Sequence, residues 1–90
     1  MKDALNNDYE FMTSTEIGLA LAKRVKPIRK QRFKTQKLFA KHIGMSYGSY
    51  ARFEKTGLIS LKGFIDILRG LDRIDELSDF LVEKEEVIKW

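Results

Sequence analysis

Apolar residues recur along this chain at three- and four-residue spacings, the period of a helix that buries one face. Ile17, Ala20, Leu21, Val25 and Ile28 form the first such stripe. Ahead of it, Thr13-Ser14-Thr15-Glu16 has the spacing of a capping box, in which Thr13 accepts from a free backbone N–H and Glu16 reaches back to the cap. Pro27 lies inside the stripe and removes the bond to the Lys23 carbonyl, so the pattern predicts one bent helix over residues 14–32. Thr35 is placed to cap a shorter helix over 36–43, which Gly44 stops by supplying a left-handed conformation. Ser46 then caps a third helix over 47–54, ending before Gly57, with Tyr50 and Phe53 turned inward. Gly48 within that helix costs about 1 kcal/mol relative to Ala.

A fourth helix starts at Ser60 and repeats Leu61, Phe64, Ile65, Leu68 and Leu71 at helical spacing. Asp72 is positioned to cap a fifth, whose Ile74, Leu77, Phe80 and Leu81 make an apolar face wider than one small domain needs to bury. No alternating run is long enough for a strand, no Gly/Ser linker interrupts the chain, and no period repeats. The fold class read from this pattern is all-α. With 90 residues, 43% hydrophobic and 33% charged, the chain has the balance and size of one globular domain. It divides into an N-terminal arm at 1–12, a helical domain at 13–82 and an acidic tail at 83–90 ending in Trp90. Residues 3–12 mix turn formers with Leu5, Tyr9, Phe11 and Met12, and three readings stay open: a docking arm, part of a dimer contact, or disorder.

Composition narrows the chemistry. The absence of Cys excludes disulfides, thiolate zinc sites and thiol nucleophiles, and fits a reducing compartment. With no apolar run near bilayer length and no signal-like start, the expectation is a soluble cytoplasmic protein without membrane contact. His42 is the single histidine, too few for the usual zinc constellations, and it has no serine and acid in helical register for a triad. The acid pairs Asp75/Glu76 and Glu85/Glu86 lie in charged, solvated stretches. No metal, no cofactor and no enzymatic activity are expected. Charge is unevenly spread: residues 21–62 carry twelve Lys and Arg against Glu54 alone, whereas 1–20 carry one against four and 63–90 four against eight. A basic block of that density is the electrostatic footprint of a polyanion ligand, with double-stranded DNA the first candidate and a solvated basic face the alternative.

The second and third predicted helices, joined by a short turn containing Gly44, have the dimensions of a helix-turn-helix. The stretch Gln36-x-x-Phe39-Ala40-x-x-Ile43-Gly44-Met45-Ser46-x-x-x-Tyr50-x-x-Phe53-Glu54 resembles the pattern of the phage repressor and Cro-like (XRE) family of regulators, with aromatics at some core positions. The resemblance runs over about residues 17–82, since Arg24-Val25-Lys26-x-x-Arg29 is similar to the first helix of such domains. It implies a five-helix, lambda-repressor-like DNA-binding domain that represses transcription as a homodimer on an inverted repeat. Tyr50-Ala51-Arg52-Phe53-Glu54-Lys55-Thr56-Gly57-Leu58-Ile59-Ser60-Leu61 and Ile74-Asp75-Glu76-Leu77 further resemble the HipB-like regulators encoded beside HipA-type kinase toxins, which implies an autorepressing antitoxin.

The resemblance sets Tyr47, Gly48, Ser49 and Arg52 against base edges, and Arg52 is the strongest candidate because its guanidinium donates bidentately to guanine. Lys34, Thr35, Gln36, Lys37, Ser46, Lys55 and Lys62 are candidates for the sugar-phosphate backbone. Glu54 resembles the family glutamate that pairs with an arginine of the first helix, here Arg29, in a structural ion pair. Leu77, Phe80, Leu81 and Val82 are the candidate dimer surface. Trp90 is a candidate anchor for a partner such as a HipA-like toxin, the alternative being that it packs on its own domain. Two rival readings are a protein-interaction antitoxin whose main ligand is that toxin, and a basic module for RNA or a membrane surface.

Overall fold

The computed structural model describes residues 9–83. Four α-helices follow one another, α1 (Ser14–Arg32), α2 (Gln36–His42), α3 (Tyr47–Thr56) and α4 (Leu61–Gly70), and a 3-10 helix at Ile74–Asp79 is the fifth helical element of the domain. A single 3-10 turn, Tyr9–Phe11, precedes them. Among the described residues there is no strand, so the fold class is all-α, and no helix is long and apolar enough to cross a membrane.

Each α-helix begins at a hydroxyl cap, which is why its start is legible in the sequence. Thr13 N–H donates to Glu16 Oε1 at 2.9 Å while Glu16 N–H donates to Thr13 Oγ1 at 3.0 Å, a closed capping box. Thr35, Ser46 and Ser60 accept through their hydroxyls from the backbone N–H groups of Leu38, Ser49 and Gly63, at 3.1, 3.1 and 3.0 Å. Gly44 and Gly57 leave α2 and α3 at φ of 70° and 81°, where an L side chain is strained. Gly57 also lies against Gly18 of α1 so closely that a Cβ on it would come within 2.3 Å of the Gly18 carbonyl carbon. The end of α3 therefore touches α1 backbone to backbone.

The core is made by Ala22 and Val25 of α1, Phe39 and Ala40 of α2, Tyr50 and Phe53 of α3, Ile67 of α4 and Leu71. Its centre is aromatic: Phe39 meets Tyr50 edge-on with centroids 5.0 Å apart, and Phe53 packs on Phe64 at 6.2 Å. α1 continues through Pro27 without a break. Its buried face is Ala22, Val25 and Arg29, whereas Ile17, Ala20, Leu21 and Ile28 of the expected stripe are only half-buried. The face is rotated because Arg29, a charged residue that no apolar pattern includes, is the deeper side chain at 3% exposure.

The fifth helix differs from expectation in kind. Asp72 does not cap it: Asp72 has φ 60°, outside the extended conformation a cap requires, and its carboxylate accepts from Arg32 Nη1 at 2.6 Å. The 3-10 helix begins after Arg73, with no side-chain cap bond, and ends before Phe80. At three residues per turn it cannot spread a broad apolar face. Ile74 is half-buried, and Leu77, Phe80, Leu81 and Val82 are exposed.

Candidate nucleic-acid interface

The short α2, the turn at Gly44 and α3 form the helix pair anticipated from the sequence, and α3 also packs along α1. Helical phase divides α3 into two faces. Tyr50 and Phe53 are fully buried, while Tyr47, Gly48, Ser49, Arg52 and Lys55 are exposed along the other side. The cationic groups of Lys34, Lys37, Arg52 and Lys55 have no hydrogen-bond or ion-pair partner among the described residues. These exposed groups therefore keep their full hydrogen-bonding capacity for a ligand.

What holds α3 in place is a buried polar network beneath it. Arg29 donates from Nε to Glu54 Oε2 at 3.0 Å and from Nη2 to Glu54 Oε1 at 3.1 Å, a bidentate pair with both side chains 3% exposed. Arg29 Nη1 donates to the carbonyl oxygens of Phe33 and Lys34, each at 3.1 Å, which fixes the turn leading into α2. Gln36 Nε2 donates to Glu54 Oε1 at 2.7 Å, and the Tyr50 hydroxyl donates to Glu54 Oε2 at 2.5 Å. One carboxylate thus ties α1, the start of α2 and α3 together.

The protonation of these groups follows from their contacts. Burial pushes the Glu54 carboxyl up, but the hydrogen bonds from Arg29, Tyr50 and Gln36 outweigh it and hold the group below the usual carboxylate range. The bond to Glu54 raises the Arg29 guanidinium further, against its burial. Burial first, and then the bond to Glu54, pushes the Tyr50 phenol up.

The sequence-chosen phosphate candidates fall into two groups. Lys34, Thr35, Lys37 and Lys55 are exposed on α2, its approach and α3. Lys62 is exposed on α4 but already bonded to Asp66 at 2.9 Å. Gln36 is half-buried and gives one N–H to Glu54, leaving the other for a ligand. The Ser46 hydroxyl accepts from Ser49 N–H and donates to Ser49 Oγ at 2.9 Å, so its own donor is engaged and the free hydroxyl proton belongs to Ser49. Beside this surface, a groove of about 430 Å³ runs between α3 and the start of α4, lined by Ser49, Arg52, Ser60 and Lys62 among others.

Two contacts escaped the sequence reading. The Tyr50 hydroxyl joins the Glu54 network, for which the signal was the i, i+4 spacing of Tyr50 and Glu54 on one helix. His42 is exposed, yet its ring packs against Phe33 in a tilted pair with centroids 4.7 Å apart. Trp90 lies outside the described residues, as does most of the N-terminal arm. Among the described residues no group of three or more His, Cys, Asp or Glu could hold a metal ion. No family model, no curated protein and no solved structure matches the chain.

Proposed function

We propose that this chain is a sequence-specific DNA-binding transcriptional regulator that sets α3 in the major groove and acts as a homodimer on an inverted repeat. The observation that carries the reading is the division of α3. Its inner face is locked by Tyr50, Phe53 and the Glu54–Arg29 pair, and its outer face presents the cationic groups of Arg52 and Lys55 without partners among the described residues, beside Ser49, whose hydroxyl accepts from Ser46 and keeps its own proton to donate. A helix held this firmly, with its donors directed outward and set in a block of twelve cations against one acid, suits readout of base edges between two phosphate backbones. The resemblance of the Gln36 to Glu54 pattern to phage repressor and Cro-like regulators supports the same reading.

Fluorescence anisotropy tests it with the duplex immediately upstream of the chain's own coding sequence against a scrambled duplex of equal length, at two salt concentrations. The expected result is a preference for the upstream duplex of about a hundredfold or more. Equal, steeply salt-dependent binding to both duplexes would mean that the basic block acts without sequence readout.

A further inference from the structure

The chain has six glycines, and five of them meet a demand of the fold. Gly44 and Gly57 have positive φ. A Cβ on Gly18 would lie 2.9 Å from the Gly57 carbonyl oxygen, one on Gly63 would lie 2.8 Å from Ile59, and one on Gly70 would lie 2.3 Å from Ile43. Gly48 is the exception. It lies in the regular helix α3, its φ is outside the left-handed region, and a Cβ built on it meets nothing within 4 Å among the described residues. Alanine would fit there and would raise the helix propensity of the segment. Nothing in the structure of the described residues therefore requires this glycine.

A helix surface without a side chain has a use when another molecule comes closer than a Cβ permits. Gly48 sits on the exposed face of α3, between Tyr47 and Ser49 and one turn before Arg52, on a ridge that continues to Lys55. A helix with its side chains is about 10–12 Å across and the major groove about 12 Å wide, so the fit leaves little clearance. We infer that Gly48 is the point of closest approach between α3 and DNA, a specificity-determining position that lets the helix seat deeply enough for Arg52 to reach base edges. A side chain at 48 lifts the leading end of α3, and bidentate donation from Arg52 fails once its donor–acceptor distances exceed about 3.5 Å. The inference rests on the DNA-binding reading and adds to it the side chain that is absent.

The test compares Gly48→Ala and Gly48→Leu with the wild-type chain, using duplexes that the wild type selects from a random-sequence pool and unselected duplexes of the same length. Thermal melting accompanies each titration. Gly48→Ala is expected to melt about 4–8 °C higher. It should bind the selected duplexes about tenfold more weakly, with a larger loss for Gly48→Leu. Binding to unselected duplexes at low salt should fall by a smaller factor than binding to selected ones, because that term is electrostatic. Undiminished binding of selected duplexes by Gly48→Ala, or a lower melting temperature, overturns the inference. If Arg52→Ala loses selectivity while Gly48→Ala keeps it, the inference fails and the DNA-binding reading stands. If the wild type selects no sequence from the pool, the reading itself fails and takes the inference with it.

Discussion

Glu54 is the single acid between residues 21 and 62, and its carboxylate accepts four hydrogen bonds from three side chains. Replacing it with Gln leaves the Arg29 guanidinium buried without a counter-charge, which costs about 3–5 kcal/mol. The pH dependence has a definite sign. Because the folded-state pKa of Glu54 lies below the unfolded one, its contribution is complete above the unfolded value and is lost as pH falls through the folded value. Urea denaturation of wild type and Glu54→Gln at pH 7 and pH 3 should therefore show a stability gap that narrows on acidification. Tyr50 has the opposite dependence: its phenol is raised, so its contribution is present below the unfolded value, about 10, and disappears as pH rises through the folded one. Tyr50→Phe removes a bond to a charged group and should cost about 1.5–3 kcal/mol near neutrality. The same variant should lose less stability than wild type between pH 9 and pH 11 in thermal melts. The ion pair was legible because Glu54 is isolated among cations and resembles the glutamate that phage repressor and Cro-like regulators pair with an arginine of their first helix. The Tyr50 hydroxyl was not, because an inward aromatic reads as an apolar core residue until its neighbours are known.

At the scale of elements, the four α-helices could be placed from the sequence because each is announced by Thr or Ser at its cap and three of them end in or near a glycine. In the proposed regulator Ser46 is the cap that bears on DNA binding, since it starts the helix that carries Arg52. Ser46→Ala should cost about 0.5–2 kcal/mol in denaturant titrations. It also frees Ser49 Oγ from its neighbour, so DNA affinity should fall even under conditions where the fold is fully populated. The rotation of α1 and the 3-10 form of the last helix were not legible, for different physical reasons. An apolar stripe cannot register a buried arginine, so the buried face keeps Val25 of the pattern but runs through Ala22 and Arg29, each one position beyond the expected Leu21 and Ile28. Apolar spacing of three fits either helix type over six residues, and the departure from α geometry at Asp72 comes from a left-handed turn and the bond to Arg32, a contact across forty residues of sequence. The outward face of α3 was legible from helical phase alone, whereas the engaged donors of Gln36 and Ser46 depend on distances that a sequence does not contain.

For the whole molecule, the cations crowd residues 21–62, and exposed apolar side chains, scattered elsewhere among the described residues, come in close succession at Leu77, Phe80, Leu81 and Val82. Leu77, Phe80, Leu81 and Val82 are 36%, 66%, 88% and 58% exposed, and Leu81 holds φ 57°, a conformation that costs a bulky residue about 1–3 kcal/mol. Folding buries most of Leu77 but leaves Phe80, Leu81 and Val82 largely in solvent, and in the proposed regulator the homodimer contact covers them. Leu81→Asp separates the two demands. Its side chain makes little contact within the fold, and Asp tolerates the left-handed region better than Leu, so circular dichroism of the dilute monomer should be unchanged and its melting temperature should not fall, while sedimentation equilibrium should shift from dimer to monomer. Binding to a single half-site should survive, because α3 and its cations are untouched. Binding to a two-half-site duplex should fall by about 10²–10⁴-fold, the advantage of engaging the second site intramolecularly. A Leu81→Asp chain that remains dimeric and holds the paired duplex as tightly as wild type would place the dimer contact elsewhere, and would leave this exposed apolar turn to a different partner.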